Sequence, residues 1–478
     1  FFIFPCKSAK FNAEFNFFGF RICTHIFRNL KKNMTYSLSI LLLFLSFTNN
    51  SFAQEGFKID GNKQSFEMDF EKVNDLVIIP AEVNGVELNF LLDTGVDSSI
   101  IFSLEEKDSL SVKNATEIKL KGWGEKEAIS AIRSTGNTII IGKAFHTNFT
   151  IYIVYDHQIS LSNRLGVPVH GIIGYDFFRD FVVEFNYSRE RLVAYNSNSY
   201  TYKKCKRCED LDLLFSGNKP YLRAQVNIKG KNPKPMTFLI DSGSGDALWI
   251  FEDPDLNINV PVNYFEDFLG FGMGGSVYGK RTRVKTLQLG KFKFEAVTAS
   301  FPDTLYFEGI TTFESRNGTL GSQILKRFTS TFDYKNKRLR LKPNNLYKYP
   351  FEYDMSGIIL AHDGYTVVKD FENNNSPVYQ DIGEEGDKGL VVYKSYSKVK
   401  FKLEPQYKVV EVRPNSPAES VGLKVNDIIE MINSKLAFKY ELSEINQLFS
   451  SQEGKNIRLK VKRNGILLNI SFKLKKVL

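Results

Sequence analysis

The sequence predicts a mostly β protein, two pseudo-symmetric β lobes followed by a small α+β domain, and three observations carry that expectation. Two separate motifs recur at nearly one offset, which makes the middle of the chain a duplicated lobe. The segments around them alternate apolar and polar residues between Gly, Asn and Pro turns, the patterning of strands. Beyond Pro350 the pattern changes to strands interleaved with short amphipathic helices.

Residues 88–102 read Leu-Asn-Phe-Leu-Leu-Asp-Thr-Gly-Val-Asp-Ser-Ser-Ile-Ile-Phe, and residues 236–250 read Met-Thr-Phe-Leu-Ile-Asp-Ser-Gly-Ser-Gly-Asp-Ala-Leu-Trp-Ile. Asp93 and Asp241 are therefore 148 positions apart. Further on, the stretch from Gly171 to Tyr187, with Ile172-Ile173-Gly174, is matched by Gly318 to Tyr334, with Thr319-Leu320-Gly321, at an offset of 147. Each copy starts with strand-like segments (Leu76 to Val83, Tyr221 to Ile228), places one short helix after Gly174 or Gly321, and ends in a closing strand. The expected lobes are 75–198 and 210–343, joined by a polar linker.

The third domain is expected over 351–478. Tyr407 to Asn433 reads as strand, short helix capped by Ser416, glycine stop and strand. A second helix, Glu441 to Phe449, puts Leu442, Ile445, Leu448 and Phe449 on one face. Two strands around Asn464-Gly465 close the domain.

Residues 1–33 begin with Phe, contain nine Phe in the first 29 positions and follow no helical or strand period, so they are read as upstream translation outside the native protein. A start near position 30 would put Lys31-Lys32 before the apolar run Leu38 to Phe47 and the small-residue site Ser51-Phe52-Ala53. That order is a cleavable signal peptide, assigned to 34–53, and the run is short for a membrane span. The expectation is export to a periplasm or beyond, with no stable transmembrane segment once the signal is removed. Removing residues 1–53 takes away six Lys/Arg and one Asp/Glu, so the net charge drops from +9 to 57 against 53, or +4. A balance that small gives no reason to expect nucleic acid. Cys205 and Cys208 are half of a structural zinc set; in an oxidising compartment a local disulfide is favoured over free thiols. His146, His157 and His170 show no ligand spacing and are expected at the surface or in loops.

Three or more apolar residues before each Asp-Thr/Ser-Gly bury the strand, so the carboxylate emerges from a core. A buried, unpaired carboxylate is costly. If the lobes pack about an axis, Asp93 and Asp241 meet there, and two carboxyl groups a few ångströms apart cannot both ionise. The ionised member can take a proton from a shared water as it attacks a peptide carbonyl, while the protonated member bonds the oxyanion. This chemistry calls for no cofactor, metal or covalent intermediate. Thr94 and Ser242 supply hydroxyls able to bond across to the other lobe, and Gly95 and Gly243 let backbone approach the carboxylates.

Over residues 75–478 the sequence resembles the retropepsin/pepsin-like aspartyl protease superfamily, and specifically bacterial aspartyl protease proteins with a C-terminal PDZ domain. The resemblance implies catalytic roles for Asp93 and Asp241 and packing of Gly174 and Gly321 behind the active-site loops. It also implies glycine-rich flaps, for which Gly122-Trp123-Gly124 and Gly270-Phe271-Gly272 lie 29 residues after each Asp at their first glycine. Ser244 follows the second motif where the first has Val96, so Asp241 is expected to be the ionised partner and Asp93 the protonated one. Asp97 and Asp246 are read as turn or ion-pair residues ahead of substrate contacts. The PDZ resemblance rests on Ser416 to Ile429, with Asn426 departing from a common Gly. It implies a C-terminal peptide ligand held beside the helix Glu441 to Phe449, with Met355, Ser356, Gly357 and Ile358 as the peptide loop. The expected function is that of an exported, monomeric aspartic endopeptidase acting on peptide or protein substrates, with the PDZ-like domain recruiting peptides or regulating access. The alternative is a non-catalytic peptide-binding or scaffolding protein on the same fold.

Overall fold

The computed structural model describes residues 56–478 apart from 105–108, 121–128, 155–160, 231, 273–274, 307–314 and 373–397. The upstream segment, the signal peptide, His157 and the first-lobe flap Gly122-Trp123-Gly124 lie outside the described residues. Strands dominate, as the alternating patterns require.

In the first lobe the hairpin Leu76–Val83 and Val86–Leu92 turns at Asn84 and Gly85, both with positive φ (49° and 89°), the tight turn such residues allow. The second strand then runs into the gap between two elements: Gly171–Ile173 pairs with it in parallel, Gly171 opposite Phe90. A side chain at Gly171 would lie 2.2 Å from the Ile100 carbonyl oxygen, so only glycine fits that crossing. The second lobe repeats the plan. Lys234–Ile240 pairs in parallel with Arg316–Leu320, and a Cβ at Gly318 would stand 1.9 Å from the Trp249 carbonyl oxygen. The predicted short helices form at Tyr175–Asp180 and Ser322–Leu325; a further one, Leu161–Leu165, was not foreseen.

A six-stranded sheet joins the lobes. At its centre Phe181–Asn186 pairs antiparallel with Phe328–Asp333, and Glu184 faces Thr331. Those two residues are 147 apart, the offset of the repeat itself, so equivalent positions meet on the axis. Around it Phe178, Phe185, Phe332 and Tyr334 pack ring against ring, at 5.3 to 6.1 Å between centroids, and one apolar core runs through both lobes. The lobe boundaries need extending at their N-terminal sides: Ser65–Asp69 pairs with the closing strand of the first lobe and Glu209–Asp212 with that of the second. Cys205 and Cys208 form a disulfide in the linker.

The C-terminal domain has its own core and a six-stranded sheet. Its helices are Pro417–Ser420, with the Ser416 hydroxyl accepting from the Glu419 N–H, and Leu442–Phe449, with Glu441 as cap. Leu442, Ile445 and Phe449 are buried and Leu448 is half-buried, as their spacing predicts. The long interval before Tyr407 holds two extended strands, Ile358–Glu372 and Lys398–Val412, paired with each other.

Two histidines depart from expectation. His146 and His170 are buried, and each ring accepts a backbone N–H through Nδ1, from Asn148 and Asn89 respectively. They are satisfied core residues, which the absence of ligand spacing could not distinguish from surface ones.

Candidate active site

Each aspartate is placed by the strand before it and the glycine segment behind it. Asp93 donates its N–H to the Ile173 carbonyl (2.9 Å), and Asp241 donates to that of Leu320 (3.0 Å). Behind the loops, Gly174 lies so close to Val96, and Gly321 to Asp246, that a Cβ would come within 2.6 and 2.3 Å of their carbonyl oxygens. The apolar-apolar-Gly segments thus buttress the loops from the rear.

The two loops then lock through their hydroxyls. Thr94 Oγ1 donates to the Ile240 carbonyl (2.8 Å) and accepts the Ser242 N–H (3.0 Å). Ser242 Oγ donates to the Leu92 carbonyl (2.9 Å) and accepts the Thr94 N–H (3.0 Å). All four partners cross from one lobe to the other, and both hydroxyl residues are buried. Buried polar groups satisfied this completely favour one arrangement over any alternative, because each bond broken leaves a desolvated group.

That lock brings the carboxyl groups together. The loop backbone shows how near they are, since a single N–H reaches both carboxyl groups. Gly95 N–H donates to Asp93 Oδ1 (2.6 Å), while Gly243 N–H reaches Asp241 Oδ1 (3.0 Å) and Asp93 Oδ1 (3.3 Å). A side chain at Gly95 would stand 2.7 Å from Asp241 Cγ, and one at Gly243 2.2 Å from Asp93 Oδ2. Burial, followed by the neighbouring Asp241 charge, holds the Asp93 carboxyl well above the usual carboxylate range. Burial raises Asp241 as well, but the hydrogen bond from Asp93, the Arg316 cation, the Gly243 N–H and Lys219 pull it back. Two carboxyl groups buried this close disfavour ionising together, so the pair titrates as one unit.

The two loops differ in what surrounds each carboxyl group. Ser244 donates its backbone N–H to the Asp241 carbonyl (3.3 Å), and among the described residues its hydroxyl makes no hydrogen bond to the Asp241 carboxylate. Arg316 and Lys219 are the cations whose charge favours the ionised form of Asp241. Arg316 is itself held down to about 10, chiefly by burial, and its guanidinium donates to the Gly318 carbonyl (3.0 Å) and to Thr319 Oγ1 (2.7 Å). The repeat contained a signal for it: at the offset of 147, Arg316 falls on Val169, an apolar residue in the first lobe.

Gly270, Phe271 and Gly272 end the strand Tyr264–Gly272, which pairs with Gly275–Leu289 as a hairpin whose tip, 273–274, lies outside the described residues. The hairpin is irregular between Phe268 and Gly270, and a Cβ at Gly270 would lie 3.8 Å from the Trp249 ring. Asp246 takes part in structure: it accepts from Trp249 Nε1 (2.7 Å) and Ser300 Oγ (2.9 Å) and pairs with Arg281 (2.8 Å). Asp97 is exposed.

In the C-terminal domain Met355, Ser356, Gly357 and Ile358 do form the turn that leads into the edge strand Ile358–Glu372. Their backbone donors are already occupied. The Ser356 and Gly357 N–H groups bond the Asp354 carboxylate (3.0 and 2.7 Å), and the Ile358 N–H bonds Ser356 Oγ (3.0 Å). A carboxylate of the chain itself thus sits where a peptide's carboxylate was expected.

Residues 79–177 match the family model described as aspartyl protease, and residues 408–463 match that of the PDZ domain. No curated protein matches the chain. Among solved structures the chain is similar to the aspartic proteinase from Irpex lacteus, at 12% identity and a TM-score of 0.37, over 60% of this chain and 99% of that one. The chain carries an aspartyl protease domain, within which Asp93 lies, and a C-terminal PDZ domain.

Proposed function

We propose that this protein is an exported aspartic endopeptidase whose Asp93 and Asp241 act together across the lobe interface. The observation that carries the reading is the facing carboxyl pair that shares the Gly243 N–H, held by Thr94 and Ser242 in a lock that neither lobe could build alone. An extended peptide lies across both lobes under the second-lobe hairpin. Asp241, ionised, takes a proton from a water placed between the carboxyl groups as that water attacks the peptide carbonyl. Asp93 donates its proton as a hydrogen bond to the developing oxyanion, and the proton gained by Asp241 passes to the leaving nitrogen. The N–H groups of Gly95 and Gly243 hold the carboxylate oxygens in plane, so the geometry is prepared before substrate arrives.

Export is supported by the basic, apolar and small-residue order of residues 31–53 and by the disulfide in the linker. The PDZ domain serves peptide recruitment or control of access.

The deciding experiment incubates the mature chain, from residue 54, with a mixed peptide library from acid to neutral pH, beside Asp93→Asn and Asp241→Asn. Cleavage lost by about 1,000-fold or more in both variants supports a joint dyad. No cleavage by the parent at any pH would make the protein a peptide binder. A harmless substitution at either aspartate would show that the two do not act as one unit.

A further inference from the structure

The flap hairpin of the second lobe is joined to the PDZ domain. Phe265 packs against Tyr353 with ring centroids 5.5 Å apart, and the Tyr278 hydroxyl donates to Glu411 Oε1 at 2.6 Å. Arg413 of the PDZ domain lies over the Phe265 ring, 4.3 Å from its centroid, with Nη1 3.6 Å from Asp267 Oδ1. A cleft of about 270 Å³ remains at this junction, lined in part by Asp267, Tyr278, Asp354, Glu411 and Arg413.

Behind the junction the charges continue inward. Arg281, on the second strand of the hairpin, bonds Asp267 Oδ2 through Nε (2.6 Å) and Asp246 Oδ1 through Nη1 (2.8 Å). Asp246 follows the second aspartate loop by five positions, and its carbonyl accepts the Gln323 N–H behind that loop. Outward, Arg413 Nη1 donates to the Asp354 carbonyl (3.1 Å) and lies 3.9 Å from the Asp354 carboxylate, which caps the expected peptide loop. Asp246, Arg281, Asp267, Arg413 and Asp354 thus form one row of alternating charge from the active-site loop, through the flap hairpin, to the PDZ domain.

The side chains of Arg281, Asp246, Asp267 and Arg413 are between 5% and 13% exposed, so solvent and salt screen the row poorly. Two arginines face three aspartates along the row. Removing Arg413 leaves one cation for three acids and a desolvated Asp267 on the flap, an arrangement that favours movement of the hairpin toward water.

We propose that Arg413 is a positioning residue for the peptidase, reaching from the PDZ domain to Asp267 and, through Asp267 and Arg281, setting the second-lobe flap over the cleft. This rests on the peptidase reading for its consequence but not for its structural content. Flap position governs how well an extended peptide is held, so the effect falls on KM ahead of kcat.

The test uses the mature full chain and three variants: Arg413→Ala, Arg413→Lys, which keeps the charge without the planar fork, and Arg463→Ala. Arg463 bonds Asp427 and the Gly422 carbonyl inside the PDZ domain, and among the described residues it makes no bond to the hairpin. Amide hydrogen exchange is followed over residues 264–286, and kcat and KM are measured on a fluorogenic peptide chosen from the library. In Arg413→Ala, exchange over 264–286 should quicken about tenfold, and KM should rise about tenfold with kcat within about threefold. Arg413→Lys should fall between it and the parent, and Arg463→Ala should change neither. Unchanged exchange and KM in Arg413→Ala, or the same change in Arg463→Ala, would overturn the proposal. If Arg413→Ala does not fold, Asp267→Asn breaks the contact from the flap side and is expected to quicken the same amides. A parent that cleaves nothing overturns the peptidase reading alone, since the exchange comparison still decides whether Arg413 holds the hairpin.

Discussion

The two lobes agree most closely where their aspartate loops touch and differ in the charged groups placed around them. At the axis, Thr94 and Ser242 make the same pair of bonds in opposite senses, and Gly174 and Gly321 close the same gap behind the loops. A few residues away the likeness stops. The second lobe places Arg316 where the first has Val169, and sets Asp246 in a buried ion pair where the first leaves Asp97 exposed. Its flap hairpin is also tied to the PDZ domain. Geometry that must be symmetric to form the lock stayed symmetric, whereas charge and cover, which the lock does not constrain, diverged.

The strongest way to break the comparison is at the glycines. Gly95→Ala and Gly243→Ala each put a methyl group into the opposite carboxyl group, so each should lower peptide cleavage by about 100-fold or more. Kinetics on one peptide would show it. A large loss in only one of the two would mean that the loops are not equivalent. Arg316→Met sharpens the asymmetry. Removing a cation that favours the ionised form raises the Asp241 pKa, so the acid limb of the pH–rate profile moves to higher pH while the alkaline limb, set by Asp93, stays. An acid limb that did not move would assign the asymmetry to another group.

The smallest effect is on stability. Asp93 has a folded pKa raised above its unfolded value of about 3.9. Its contribution is therefore fully present below the unfolded pKa and lost as pH rises through the folded one. An amide in its place has no proton to lose, so Asp93→Asn should melt at higher temperature than the parent at pH 7, and by a greater margin than Asp241→Asn, with the difference closing below about pH 4. A lower melting temperature at pH 7 would refute the assignment of the proton.

Much of this architecture was legible before any coordinates. The duplication, the strand patterning, Thr94 and Ser242 as bonds across the axis, and the helices after Gly174 and Gly321 follow from local spacing, because period and turn residues act over a few positions. The family match stops at residue 177, and the second lobe is legible through the internal repeat and the resemblance it carries. What escaped was non-local. His146 and His170 carry no sequence sign of their burial. The Arg316 cation, 75 positions after Asp241, acts on that carboxyl group without any local sign in the sequence around the aspartate. The loop at Ser356 and Gly357 was identified by its residues, but its occupation by Asp354 was not.

By itself, the sequence determined that there are two equivalent aspartates, each ending a buried strand and each with a glycine partner about 80 positions on. The tertiary structure decided that they meet, that both carboxyl groups are held above the usual range, and that the PDZ domain contacts the hairpin formed by Tyr264–Gly272 and Gly275–Leu289. The reason is physical: a repeated motif specifies equal local geometry, whereas a pKa or an ion-pair row depends on charges brought together from distant parts of the chain.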